Sequence, residues 1–132
     1  MQVHGQGFTN ATIRQNLETL NKEATVSQER KLQLMYDWKR RSEASLLPQD
    51  SVYAKLLHRI GVFEYLVNKN YNAAIIVTLR ALQISSSKAG GPAAQAITDR
   101  YNLALFYDKL KSFEKALLYY DSTIWSIRPE ED

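Results

Sequence analysis

His58 is the one histidine that falls within the main body of this chain, so it is the first residue to test for chemistry. A histidine acting as general base needs a nucleophile or an orienting carboxylate within hydrogen-bond reach. Its neighbours at helical spacing, Lys55 and Val62, supply neither, and Arg59 follows it directly. His58 therefore reads as a surface or groove histidine. His4 lies in the N-terminal tail. Two histidines and no cysteine leave a zinc site short of ligands, and the lack of cysteine removes disulfides and thiol catalysis as well. Asp99, Asp108, Glu114 and Asp121 form no spaced carboxylate pair, and Glu114 beside Lys111 and Lys115 reads as balanced surface charge. Lys39-Arg40-Arg41 suits the C-terminal end of a helix, where cations complement the dipole. Gly90-Gly91-Pro92 lacks the glycine spacing and the following Lys-Ser/Thr of a phosphate loop. No cofactor and no catalytic centre are expected.

Binding is the remaining class of function, and composition narrows it. The 132 residues are 45% hydrophobic and 23% charged, enough to bury a core without disulfides or metal. No apolar run approaches the roughly 18 residues that a membrane-spanning helix needs, so no membrane insertion is expected. Residues 1–60 carry nine Lys/Arg against six Asp/Glu, while residues 61–132 carry eight of each. A net charge of +3 without a dense basic stripe argues against a nucleic-acid partner. Met1–Gln6 has neither charge nor a long apolar run and is not a complete signal peptide. Val3 and Gly5 before Gln6 are compatible with the end of a cleavage region, whereas a frayed polar terminus is the simpler reading. The compartment stays open: cytoplasmic by default, exported if those residues are a signal-peptide remnant.

Glycine and proline are sparse, and the stretches between them are rich in helix formers. Six helices are expected, over residues 10–23, 27–45, 51–68, 71–87, 92–110 and 112–128. Ile13, Leu17 and Leu20 mark the first, and Leu32, Met35 and Trp38 the second, with Ser27 as its cap. Pro48 disfavours helix just before it, and Asp50 caps the third helix, whose stripe is Val52, Tyr53, Leu56, Leu57, Ile60 and Phe63. Gly90-Gly91 ends the fourth helix and Pro92 starts the fifth. No alternating strand pattern with a hairpin turn occurs. The expected fold is all-α, with residues 1–9 a flexible tail and 10–132 one helical domain.

The chain also repeats itself. Tyr71-Asn72-Ala73-Ala74-Ile75-Ile76 aligns with Phe113-Glu114-Lys115-Ala116-Leu117-Leu118 at an offset of 42, which also pairs Ala81-Leu82 with Thr123-Ile124. Ile60-Gly61 aligns with Leu103-Ala104 at an offset of 43, so one residue is lost in the turn between the helices, where Asn68-Lys69-Asn70 is answered by Lys111-Ser112. These residues resemble the tetratricopeptide repeat family. Its pattern has a small residue on the first helix (Gly61, Ala104), an aromatic at the turn (Tyr71, Phe113) and an alanine three residues later (Ala74, Ala116). Ala81 and Tyr107 also fit the pattern, whereas Arg100 stands where the family often has tryptophan and Thr123 replaces a second alanine. The physical need is plain: two antiparallel helices approach closely only where a small side chain faces the crossing.

The resemblance implies an antiparallel helix-pair solenoid with a right-handed superhelical stack, with residues 51–88 and 92–128 as two repeats. A spacing near 42 exceeds the usual 34 and is similar to the extended repeats of large bacterial signalling proteins, which implies a module of a larger signalling or regulatory protein. Each repeat buries its face only against neighbours, so residues 10–47 are expected to form a degenerate capping pair, with Tyr36 and Trp38 packing on the third or fourth helix. In this family the first helices line a concave groove that holds a peptide or a partner helix. Carried over by position, that groove comprises Lys55, His58, Arg59, Val62 and Tyr65 from one repeat and Tyr101, Asn102, Leu105 and Asp108 from the other. Lys55 and Arg59 suit partner carboxylates, and Asn102 a peptide backbone. The alternative is homodimerisation through the last helix, using Ile124, Trp125 and Ile127.

Overall fold

Local signals place every helix start that the structure describes with a cap. The computed structural model describes residues 7–87 and 93–127, with the side chains of 93, 126 and 127 outside that description. The helices are α1 (Asn10–Lys22), α2 (Gln28–Ala44), α3 (Ser51–Phe63), α4 (Tyr71–Ser85), α5 (Ala93–Lys109) and α6 (Phe113–Ile127). Thr9 opens α1 in a reciprocal capping box with Thr12, and Ser27 accepts the Arg30 N–H at the start of α2. Asp50 accepts the Val52 and Tyr53 N–H groups, and Asn70 accepts the Ala73 N–H. Each side chain satisfies donors that a helix start leaves open. The fold is all-helical, as the sequence implies, and no strand occurs among the described residues. His4, Gly90, Gly91, Pro92 and Pro129 lie outside the described residues.

Two apolar clusters hold the helices together. The larger joins Ile13, Leu17 and Leu20 of α1 with Leu32, Met35 and Trp38 of α2, the inner face of α3, and Val77, Ala81 and Ile84 of α4. The smaller joins Ala74 and Ile75 of α4 with Leu103 and Phe106 of α5, flanked by Tyr65, Tyr107 and Tyr119. The broadest interfaces are α5 with α6, α3 with α4, and α4 with α5. α1 and α2 each lean on α3 more than on one another. Trp38 lies in the larger cluster, which includes residues of α3 and α4. The pair expected at residues 10–47 is thus two helices set on α3, with little mutual contact.

Gly61 marks the closest approach of α3 and α4. A Cβ built there would land on the Thr78 Oγ1, with the Ala74 carbonyl and the Val77 Cγ2 each 3.4 Å away. Gly61, Ala74 and Thr78 are all buried, so there is no slack into which an added methyl could turn. The small-residue position therefore does the packing task inferred from the sequence.

The one-residue difference between the two offsets lies elsewhere than expected. Lys69 (φ 51°) and Lys111 (φ 61°), 42 residues apart, both adopt the left-handed conformation just before α4 and α6. The turns themselves are thus in register, and the extra residue of the first unit must precede Lys69. It sits in a π turn, Glu64–Asn68, that prolongs α3. A π turn closes i→i+5 bonds and takes up one residue more than an α turn. The Asn70 N–H bonds to the Glu64 carbonyl (3.0 Å), and the Ser112 N–H to the Tyr107 carbonyl (2.9 Å), closing the two turns.

The π turn is pinned by a buried acid. Glu64 is 5% exposed, accepts the Tyr36 hydroxyl, and accepts the Asn68 side-chain amide at 2.7 Å. Burial first, then the hydrogen bond to Glu64 and its charge, push the Tyr36 phenol above its ordinary range. Tyr53 is treated the same way by Glu43, 2.5 Å from its hydroxyl.

Candidate functional site

A groove of about 510 Å³ opens where α1, α3 and the first turn of α5 meet. α1 contributes Arg14, Leu17, Glu18 and Asn21, spaced so that all four share one helix face. α3 contributes Ser51, Val52, Lys55 and Arg59, again one face, and α5 contributes Ala94 and Gln95. Leu17 and Val52 are buried and form the apolar floor. Arg14 and Glu18 are exposed along the α1 wall, and Lys55 along the α3 wall. Arg59 is tethered, its Nη1 donating to the Asn21 Oδ1 at 2.9 Å. That bond joins α1 to α3 across the groove without neutralising the guanidinium. Among the described residues, the arrangement offers three cations, one carboxylate and several neutral polar groups over an apolar floor.

Of the nine residues assigned to a groove from the sequence, Lys55 and Arg59 line this one. His58 turns instead toward α5. Its Nδ1 lies 3.0 Å from the Asp99 Oδ1, and Asp99 is 0% exposed. Gln95 donates to the same oxygen at 3.1 Å, and the Ser85 hydroxyl lies 3.4 Å from Oδ2. With Nδ1 protonated, His58 donates to this carboxyl group beside Gln95 and Ser85. One buried carboxylate thus braces α3, α4 and α5. Gln95 belongs to both the brace and the groove wall.

The other seven expected residues are dispersed. Tyr65, displaced by the π turn, stacks obliquely on Phe106 (5.2 Å) and Tyr71 (5.7 Å) and packs against the smaller core. Leu105 packs against that core too. Tyr101 is half exposed, edge-on to Tyr120 at 6.0 Å. Burial, then the charge of Asp108, then Tyr101, raise the Tyr120 phenol, and Asp108 is exposed and does not line the groove. Val62 and Asn102 are half-buried and do not line the groove. Among the packing residues, Ala74, Ala81, Ala104 and Ala116 are buried, Tyr107 stacks on Tyr119 at 5.7 Å, and Phe113 is exposed.

Sequence reasoning missed the α1 contribution (Arg14, Glu18, Asn21) and the Asp99 brace. The second had a signal. At the offset of 43 that pairs Ile60 with Leu103, Asp99 stands opposite Leu56, and Leu56 is 0% exposed. A carboxylate at a core position must find donors. His58, two residues beyond Leu56, was the available one.

No family model matches the chain, and no curated protein and no solved structure is significantly similar to it.

Proposed function

We propose that this chain is a protein-interaction module of tetratricopeptide type that holds an extended segment of another protein in the groove between α1, α3 and α5. The observation carrying this reading is the identity of the walls: they come from the first helix of each successive pair, over an apolar floor with polar edges. That division of floor and rim is what peptide sites use, apolar contact for affinity and polar groups for orientation. The repeat positions Gly61/Ala104 and Ala74/Ala116, all buried, support the family assignment, and a right-handed stack of helix pairs is its implied architecture. Attachment to a larger signalling or regulatory protein, of the kind found in bacteria, follows from the same likeness. No catalytic role is assigned to any residue.

Selection of peptides from a random display library on the folded chain tests this. Enriched peptides should bind the wild type and lose affinity for a Lys55→Glu/Arg59→Glu variant of unchanged helicity. Peptides that bind both proteins equally would remove the groove assignment.

A second reading, self-association, draws on one specific feature. Leu117 and Leu118 of α6 are 61% and 65% exposed, with Phe113 and Ile124 beside them, whereas Ile75 of α4, the residue equivalent to Leu117, is 6% exposed under α5. A second copy pairing through α6 would cover that face. Sedimentation at several concentrations separates the readings, since a strict monomer eliminates the second.

A further inference from the structure

We infer that Tyr101 and Asp108 of α5 and Tyr120 of α6 form a cation site for an arginine guanidinium of a partner protein, seated on the tyrosine rings and paired with the carboxylate. None of the three lines the groove between α1, α3 and α5, and the inference does not rest on that groove.

The α5–α6 seam holds two tyrosine pairs, and they differ. Tyr107 and Tyr119 stack at 5.7 Å with planes 10° apart, so each covers a face of the other. The Lys115 Nζ stands 5.4 Å from the Tyr107 centroid, so this pair already holds a cation of its own chain. Tyr101 and Tyr120 meet at 6.0 Å with planes 64° apart, an edge-to-face contact that leaves ring surface uncovered by the neighbour. Tyr101 is 50% exposed, and no lysine or arginine among the described residues stands over either ring. The negative face of a tyrosine ring attracts a cation within about 6 Å of its centroid. That contact is made at one pair of the seam and open at the other.

An acid distinguishes the open pair. Asp108 follows Tyr101 by seven residues, two turns along the same face of α5. Tyr120 joins them, because its ring meets Tyr101 and the Asp108 charge acts on its hydroxyl. The site therefore exists only where α5 and α6 come together. Asp108 is exposed and pairs with no cation among the described residues, although Lys109, Lys111 and Lys115 are close to it in the chain. An unpaired carboxylate beside open aromatic surface is complementary to a positive charge and repels an anion. Guanidinium suits both parts of the site. It is planar, stacks on aromatic rings and presents a fork of donors to a carboxylate, whereas an ammonium is a compact, more strongly hydrated charge.

The test is a titration of the isotopically labelled full chain with N-acetyl-arginine amide, followed by the tyrosine ring resonances. The citrulline analogue, a neutral isostere, and the lysine and glutamate analogues are the controls. The arginine compound should shift the Tyr101 and Tyr120 rings saturably and bind about threefold more tightly than the lysine compound. The citrulline and glutamate compounds should leave both rings in place. Asp108→Asn and Tyr101→Leu should each weaken arginine binding at least threefold, whereas Tyr101→Phe, which keeps the ring, should retain it. Circular dichroism of each variant confirms its helicity. Lys55→Glu/Arg59→Glu should leave arginine binding unchanged, which keeps this site separate from the groove. Unmoved rings, equal binding of citrulline, lysine binding as tight as arginine, or full affinity in Asp108→Asn each overturns the inference. Loss of the groove reading would leave it standing.

Discussion

Replacing Asp99 by alanine strips a buried acceptor from three donors on two neighbouring helices and its own. Ser85 is 4% exposed, and its hydroxyl would be left without that partner in the core. The His58 ring is only 15% exposed, so its Nδ1–H is largely cut off from water, whereas half-buried Gln95 borders the groove and can be resolvated. A buried group left unsatisfied costs about 1–3 kcal/mol. Counting Ser85 fully, His58 in large part and Gln95 little, and offsetting the desolvation relieved by deleting a carboxylate, the loss is about 2–4 kcal/mol. That is a large share of the roughly 5–15 kcal/mol typical of domain stability. At roughly 3–5 °C per kcal/mol for a chain of this size, the melting temperature falls by about 6–20 °C. Asp99→Asn keeps an acceptor for both His58 and Gln95, and it should lose less than half as much. Urea unfolding followed by circular dichroism measures each variant, and a His58→Ala/Asp99→Ala cycle should give a coupling of at least about 1 kcal/mol. An Asp99→Ala protein within about 0.5 kcal/mol of wild type would refute the brace.

Gly61→Ala should destabilise by up to about 2 kcal/mol, since overpacking of about 1–3 kcal/mol outweighs the roughly 1 kcal/mol that alanine gains in helix propensity. Adding Thr78→Ala, which removes the obstructing hydroxyl, should recover part of the loss in the same urea assay. Burial opposes ionisation of Glu43, but hydrogen bonds from Tyr53 and Lys39 and the Lys39 charge hold its carboxyl below the usual range. A group lowered on folding stabilises above its unfolded value and loses that contribution as pH falls through the folded one. The gap between wild type and Glu43→Gln, less than about 1 kcal/mol for so exposed a carboxylate, should therefore exist at pH 7 and close in acid, as read by unfolding at a series of pH values. Tyr36 and Tyr53 are raised instead, so their contribution is complete below the ordinary phenol value of about 10 and fades above it. Phenolate absorbance should show these two titrating together with alkaline unfolding.

The elements were legible because their signals are local. Ser27 and Asp50 cap the helices where the sequence placed them, and the structure ends α1, α2, α4 and α5 within two residues of the expected boundaries. Gly61 was legible as a packing residue because a close crossing admits only a small side chain. The π turn was half legible. The shift from an offset of 43 to 42 exposed an extra residue, but turn composition suggested the loop, and only the matching left-handed Lys69 and Lys111 place it in α3. The groove was less accessible. Arg14, Glu18 and Asn21 belong to a helix with no clear repeat motif, and their convergence with Lys55 and Arg59 depends on how α1 leans on α3. His58 and Asp99, 41 residues apart, were judged singly, although the chemistry lies in the pair.

Amide chemical-shift mapping of the isotopically labelled chain, titrated with a display-selected peptide, tests the central claim most directly. Binding in the groove should move the resonances of residues 14–21, 51–59 and 94–95, with Gln95 relaying smaller shifts to Asp99 and His58. Shifts confined to residues 113–125 of α6, with the groove residues unmoved, would contradict it.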